Sequence, residues 1–339
     1  MPGPQHRFDR QTRFAPLGTA GQQRLETSRV LILGTGALGG VLAQNLVRSG
    51  IGQVVLADRD SVAWSNLPRQ VLFEERHARE AAPKALAAKE TLQRIGGPSQ
   101  IEAFAVHVDA DNLPDLAAGA HLVLDGTDNL ETRYLLNDYC VRSGVPWVYA
   151  GVVGGGGLVL AIRPGQGPCL RCLFPEPPPA GSLETCDTAG VLMPAVGAVA
   201  SIASGLALRL LVAPEDLQAQ LIEVDVWRGS TRSLPLPRNP DCPACVRGEF
   251  PFLDTPLRER SLTLCGRNTV QVRGRGESLD LDAMAQRLRA VDSSAQNIGP
   301  FVRATLDGLR VTLFRDGRAL LEGTDDAGRA LSVYDRYLA

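Results

Sequence analysis

Residues 31–40 read LILGTGALGG, an apolar run that breaks into glycines at G-x-G-x-x-G spacing. A buried strand that stops at glycine and resumes at helical spacing is the first half of a βαβ unit, which commits the chain to a parallel sheet. The flanking sequence completes the unit. Arg29–Leu33 reads as the strand, Ala37–Ser49 as a helix ended by Gly50, and Gln53–Ala57 as the next strand, closing on Asp58. The pattern recurs as a helix over 81–94, strands over 101–106 and 121–124, a helix over 131–143 and a strand over 147–153. Beyond residue 154, strands over 157–163 and 221–226 flank a long small-residue helix over 195–211, which reads as an antiparallel continuation of the sheet.

From residue 250 the grammar changes to a strand in SLTLCGRNTVQVRG, a helix, further strands with a hairpin at Asp316-Gly317, and a final helix. The expected fold class is α/β: a Rossmann-like, mostly parallel sheet over residues 1–249 and a small C-terminal α+β module over 250–339.

The chain has 339 residues with a net charge of −2, so nothing in its charge points to a nucleic-acid or membrane partner. The N-terminus MPGPQHRFDR lacks the apolar core of a signal peptide. The longest apolar stretch, 193–213, is interrupted by Pro194, Ser201, Ser204 and Arg209. A cytoplasmic protein is expected. Seven cysteines, with two C-x-x-C pairs among them, fit reduced thiols used for metal or chemistry better than a disulfide framework.

In such a glycine turn, Gly34, Gly36 and Gly39 let the backbone approach a phosphate at a helix N-terminus, where unpaired N–H groups favour negative charge. Asp58 stands where an acidic residue takes the ribose hydroxyls. To this point a dehydrogenase and an ATP-using enzyme fit equally well. The segment SNLPRQ then places Asn66, Arg69 and Gln70 just past that carboxylate, and Lys84 follows at the start of the next helix. A triphosphate needs fixed cations where a dinucleotide is commonly held by backbone N–H groups. Lys84 and Lys89 are the only lysines among 35 basic residues, so a retained lysine points to a need for a compact ammonium. A solvated helix charge describes Lys89 well. In DGTDN, Asp128 at the carboxyl edge of a parallel strand is the candidate Mg²⁺ ligand. Asp125 reads as a turn residue, and Asn129 as a nucleotide contact or the start of the next helix.

The knuckles Cys169-Leu170-Arg171-Cys172 and Cys242-Pro243-Ala244-Cys245 supply four thiolates, the set of a closed structural Zn²⁺ site. Such a site would clip the proline-rich loop to the end of the first domain. Cys186 follows that loop and precedes the long helix, whose N-terminal dipole favours a thiolate; the plain alternative is a small loop residue. Cys140 and Cys265 read as inert thiols in a helix and a strand.

Taken in order, RFDRQTRF, GTGALGG, LADRD, SNLPRQ, APK, DGTDN, CLRC, ETCDTAGVLMPAVG and NPDCPAC, spanning about residues 7–247, resemble the MoeB/ThiF/HesA family of adenylyltransferases, relatives of the ubiquitin-activating enzymes. The resemblance implies ATP in the glycine turn, a homodimer, and Arg10 reaching the neighbouring subunit's ATP. It implies that the substrate is the C-terminal glycine carboxylate of a ubiquitin-like sulfur carrier similar to ThiS or MoaD. The product is an acyl-adenylate for later thiocarboxylate formation, with a sulfur donor such as a cysteine desulfurase. In some members the position of Cys186 links covalently to the carrier.

On this reading Arg10, Arg69 and Lys84 stabilise phosphate charge, Asn66 and Gln70 orient the phosphates, Asp128 holds Mg²⁺ and Asp58 takes the ribose. The nucleophile is already ionised at neutral pH, so no general base is required, and His6, His77, His107 and His121 read as surface or packing residues. The resemblance stops before the C-terminal module. Its one cysteine, Cys265, sits in a strand-like run, unlike the loop cysteine of the rhodanese domain that ends some relatives. Competing readings are a relative that activates a tRNA-nucleoside carboxylate, a NAD-dependent oxidoreductase, and a non-catalytic partner of an activating enzyme. The cysteine knuckles and near-neutral charge weigh against the first. The second leaves Arg69, Lys84 and the cysteines unexplained, and the third would have lost Arg10 or Asp128.

Overall fold

The computed structural model describes residues 6–178, 188–254, 261–264, 268–272, 274, 278–299 and 301–338. It divides into two compact units that part after Asp254.

The first unit is built on an eight-stranded sheet: β1 (Arg29–Leu33), β2 (Gln53–Ala57), β3 (Gln100–Phe104), β4 (Leu122–Asp125), β5 (Trp147–Val153), β6 (Gly156–Ile162), β7 (Gln220–Asp225) and β8 (Ser230–Pro235). Their order is β3-β2-β1-β4-β5-β6-β7-β8. Pairings from β3 through β5 are parallel, and those from β5 through β8 are antiparallel. The chain runs outward from β1 to β3 and then restarts on the other side of β1 at β4. Ligands of open α/β sheets bind at such a reversal, beyond the strands' carboxyl ends.

Four helices matter here: α1 (Ala37–Ser49), α2 (Lys84–Ile95), α3 (Leu130–Ser143) and α4 (Met193–Val212). Gly50 ends α1 in the left-handed region, at φ 83°. Helix α4 is long and apolar enough to cross a membrane by composition alone. Instead, Val196, Val199, Ala200, Ala203 and Ala207 are buried in the same core as Leu42 and Leu46 of α1, and Asn45 Nδ2 donates to Ser204 Oγ at 3.0 Å. Its small residues let two helices and the sheet approach closely.

Helix α2 begins at Lys84 rather than at 81, because Pro83 stands at its N-cap and Ala81 adopts φ 49°. Strand β8 was not legible as a strand. Its sequence STRSLP is almost entirely exposed at the sheet's edge and carries no alternation of apolar residues.

Glycines in the turn after β1 are not equivalent. A Cβ on Gly39 would lie 1.8 Å from the Gly34 carbonyl oxygen, and one on Gly126 would lie 2.6 Å from Gly39 Cα. Gly34 itself is at φ +79°. The contact is backbone on backbone, so no side chain can yield. Gly39→Ala is therefore expected to cost about 3 kcal/mol or more, read as a lowered urea midpoint, because α1 would have to retreat from the sheet.

The expected boundary at residue 249 falls short of the observed one. Phe250, Phe252 and Leu253 pack into the first unit's core, and Asp254 pairs with Arg142 of α3.

The second unit is an antiparallel sheet of β9 (Ser261–Leu264), β10 (Thr269–Val272), β11 (Gln296–Asn297), β12 (Phe301–Leu306), β13 (Leu309–Phe314) and β14 (Ala319–Glu322), in the order β11-β12-β13-β14-β10-β9. Helices α5 (Leu281–Leu288) and α6 (Ala327–Tyr337) share a core with it through Met284, Leu288, Val333 and Tyr334. Asp280 and Asp326 cap the two helices. The run SLTLCGRNTVQV is two strands rather than one, with Asn268 at φ 46° preceding β10. Cys265 lies outside the described residues.

Candidate active site

The carboxyl ends of β1, β2 and β4 meet at the chain reversal. Gly34 and Gly39 are consumed by the close packing described above, but Gly36 is open: a Cβ there would meet only the Gln70 side chain, with Nε2 at 3.6 Å. The middle glycine is thus the one whose face is left for a ligand, at the N-terminus of α1. Gln70 is 5% exposed, and its Oε1 has no hydrogen-bond partner among the described residues. A buried amide oxygen without a donor is costly unless a ligand supplies one.

Asp58 directly follows β2 and grips the glycine turn. Its Oδ2 accepts from the Thr35 backbone N–H at 2.7 Å and from Thr35 Oγ1 at 3.0 Å, while Oδ1 accepts from the Asp60 N–H at 2.8 Å. Burial pushes its carboxyl above the ordinary carboxylate value, with the nearby charge of Lys84 opposing that rise and Asp60 adding to it. Lys84 is 7% exposed, and its Nζ donates to Asp60 Oδ2 at 3.1 Å. The sequence reading singles out Asp58 and Lys84 but not Asp60, which the structure sets between them. The available signal was the D-x-D of LADRD, which sets two carboxylates at the end of one strand.

Beside them, Asn66 Oδ1 accepts from the Ala63 N–H at 2.9 Å and closes the turn Trp64–Asn66. Arg69 Nη1 donates to the Ser65 carbonyl at 2.7 Å, so its guanidinium is folded against the same turn.

At the end of β4, Asp125 is fully buried. Its Oδ1 accepts from the Thr127 N–H and Oγ1 at 2.9 and 2.7 Å, and its Oδ2 from Arg133 Nε at 2.9 Å. Burial raises the Asp125 carboxyl, and the Arg133 charge opposes that. Arg133 also donates to the Thr127 and Ala150 carbonyls and lies 5.2 Å from the Tyr149 ring centroid. The expected turn role of Asp125 holds, but its larger task, anchoring Arg133, was invisible in the sequence. Asp128 is exposed at this edge. Asn129 Oδ1 accepts from the Glu131 N–H at 2.9 Å, so of its two expected roles the structure displays the helix start.

Cys169, Cys172, Cys242 and Cys245 converge, with all four sulfurs within 4.8 Å of one another. The pairs Cys169–Cys242 and Cys172–Cys245 are each 3.5 Å apart. Zn–S bonds at tetrahedral angles put sulfurs about 3.8 Å apart, so the donor set and its spacing fit zinc. Burial pushes the Cys172 thiol up to about 11 and the Cys169 thiol higher still. At Cys245 burial acts the same way but is outweighed, chiefly by Arg238, whose Nε lies 3.5 Å from the sulfur. The first knuckle is fastened to α3: the Leu170 N–H donates to Asn137 Oδ1 at 2.9 Å, and Arg171 Nη1 reaches Asp138 Oδ1 at 3.3 Å. Asp138 Oδ2 accepts from the Phe252 N–H at 3.2 Å. Burial raises the Asp138 carboxyl, against the pull of Arg171.

Arg10 is exposed on the short helix Asp9–Thr12. Cys186 lies outside the described residues. Of the histidines, His6 contacts Asp9, His121 accepts from the Arg29 N–H, His77 is buried, and the buried His107 sets its Nδ1 2.9 Å from Nη1 of Arg59, the neighbour of Asp60.

A relative named sulfur carrier protein ThiS adenylyltransferase, from Bacillus subtilis, is 40% identical over 336 residues, covering 98% of this chain and 99% of that protein. A sulfur carrier protein adenylyltransferase from Thermus thermophilus is 38% identical over 247 residues, covering 70% of this chain and 90% of that one. A crystal structure of E. coli MccB shares the fold, with a TM-score of 0.62 and 22% identity over 72% of this chain and 75% of that one. The model of the ThiF family matches residues 8–244, the stretch that holds the glycine turn, both carboxylate-bearing strand ends and three of the four clustered cysteines, with Cys245 one residue beyond it. The chain belongs to the ThiF family.

Proposed function

We propose that this protein is an ATP-dependent adenylyltransferase that activates the C-terminal glycine carboxylate of a ubiquitin-like sulfur carrier of the ThiS kind. The observation that carries the reading is the buried ammonium of Lys84, fixed one carboxylate away from the Asp58 that grips the glycine turn. A dinucleotide held by backbone N–H groups has no use for such a cation, whereas charge developing on a departing pyrophosphate does. Support also comes from the Bacillus subtilis relative, which matches this chain along nearly its whole length.

In the proposed reaction a carboxylate oxygen of the carrier attacks the α-phosphorus of ATP. The bond from that phosphorus to the bridging oxygen breaks, and pyrophosphate leaves with the electron pair. Thr35 and Asp58 hold the turn in shape, and Gly36 leaves its backbone open to phosphate. Lys84 and Arg69 face the growing charge, with Asn66 and Gln70 beside them. Asp128 would hold Mg²⁺, which when bound neutralises triphosphate oxygens. The four cysteines would hold Zn²⁺ as a structural clip, away from the reacting atoms.

The same reading has the protein acting as a homodimer in the cytoplasm, with Arg10 supplied across the subunit interface and a sulfur donor such as a cysteine desulfurase acting afterwards. Cys186 is proposed as the residue that joins the carrier covalently.

The test is ATP–pyrophosphate exchange with Mg²⁺ and each ThiS-like carrier of the same genome. Exchange is expected with an intact carrier and should vanish when its terminal glycine is removed. Exchange that persists without that glycine, or tight uptake of NADH with no exchange, contradicts the reading.

A further inference from the structure

We infer that Asp60 is a positioning residue for this reaction, holding the Lys84 ammonium at the phosphate end of the site. The inference rests on the adenylation reading above and assigns the residue that makes Lys84 effective.

Lys84 is tied to Asp60 at both ends. Its backbone N–H donates to the Asp60 carbonyl at 2.9 Å, and its Nζ reaches Asp60 Oδ2 at 3.1 Å. The two segments run as a short ladder: the Val62 N–H donates to the Ala82 carbonyl at 2.8 Å, and Ser61 bridges Pro83 in antiparallel fashion. On its other side, Asp60 donates its backbone N–H to Asp58 Oδ1, and Asp58 Oδ2 takes the Thr35 N–H in the glycine turn. The turn that approaches phosphate and the cation that would neutralise it are thus joined through two carboxylates at one strand end. Arg59 Nε, 3.8 Å from Asp60 Oδ1, adds a second positive charge to the cluster.

A lysine side chain is a long flexible stem, and fixing it for catalysis costs rotamer entropy. A carboxylate set in advance meets that cost at folding rather than at the reaction. An ammonium carries three N–H donors, so one can serve Asp60 while another serves a phosphate oxygen. Asp60 is part-exposed and does not itself need to touch the nucleotide.

The test is a double-mutant cycle in the exchange assay, with the intact homologous carrier and saturating ATP. Asp60→Asn keeps size and removes charge, and is expected to lower kcat about 30-fold while the KM for ATP stays within about threefold. In a Lys84→Met background the same change is expected to add less than about a twofold loss, because its effect passes through Lys84. Asp60→Glu, which keeps the charge, should recover most of the lost rate, and it provides a second variant if the asparagine form folds poorly. Full activity of Asp60→Asn beside an impaired Lys84→Met overturns the role of Asp60 alone. Losses that multiply in the double variant also overturn it, since they mark a merely structural residue. An unimpaired Lys84→Met overturns both the phosphate role of Lys84 and the inference built on it.

Discussion

Replacing Cys242 with alanine, or withdrawing the metal with a strong chelator, is expected to lower the thermal midpoint by about 10 °C or more. The reason is the span that the site closes. Cys169 and Cys242 lie 73 residues apart in sequence yet have sulfurs 3.5 Å apart in a buried cluster. A cross-link closing a loop of that length removes about 4 kcal/mol of chain entropy from the unfolded state in the simplest account. Apparent binding energies of structural zinc sites exceed that. With burial holding the Cys172 thiol up at about 11, ligation must displace protons. Metal retention should accordingly weaken as pH falls, since protons compete for the same sulfurs. Metal analysis of the purified protein, paired with calorimetry before and after chelation, checks both statements. Metal-free protein with an unchanged midpoint would remove the clip from the account.

Lys84→Met is expected to slow ATP–pyrophosphate exchange by about a hundredfold to a thousandfold at saturating ATP, the loss usual when a preorganised charge facing a transition state is deleted. Lys89→Met, five residues further along α2, should change the rate by less than about twofold and serves as the control. The two lysines share a helix, but Lys84 is 7% exposed with a carboxylate partner. The contrast between them, rather than either number alone, separates a phosphate-facing charge from a solvated one. Equal small effects at both positions would remove Lys84 from the chemistry.

The sequence pattern located strands and helices well wherever an apolar run met glycine. Residues 29–33, 37–49, 53–57 and 147–153 fall where alternation and helical spacing put them. Buried parallel strands are continuous apolar runs and announce themselves. Strand β8 did not, because an exposed edge strand needs no apolar face. The convergence of the four cysteines was legible because ligand chemistry demands particular residue types at short spacing. The acid–base pairs were not: Asp60 with Lys84, Asp125 with Arg133 and Asp138 with Arg171 join residues 24, 8 and 33 positions apart. Each pair exists because the fold brings two charges together, and Asp125 and Asp138 are fully buried, where a lone carboxylate is not stable. Sequence spacing carries no record of that. Asn129 shows the converse case, a residue whose local capping chemistry was readable while its relation to a ligand was not.

Helix α3 joins two places that chemistry would otherwise keep separate. At its beginning, Asn129 and Arg133 shape the loop that carries Asp128; further along, Asn137 and Asp138 grasp the first cysteine knuckle. Its 14 residues make a rod about 21 Å long, with a hydrogen-bonded backbone that does not stretch. Slackening the far fastening is expected to loosen the near end, so a Zn²⁺ bound at the knuckles as proposed would bear on the loop of Asp128 without touching it.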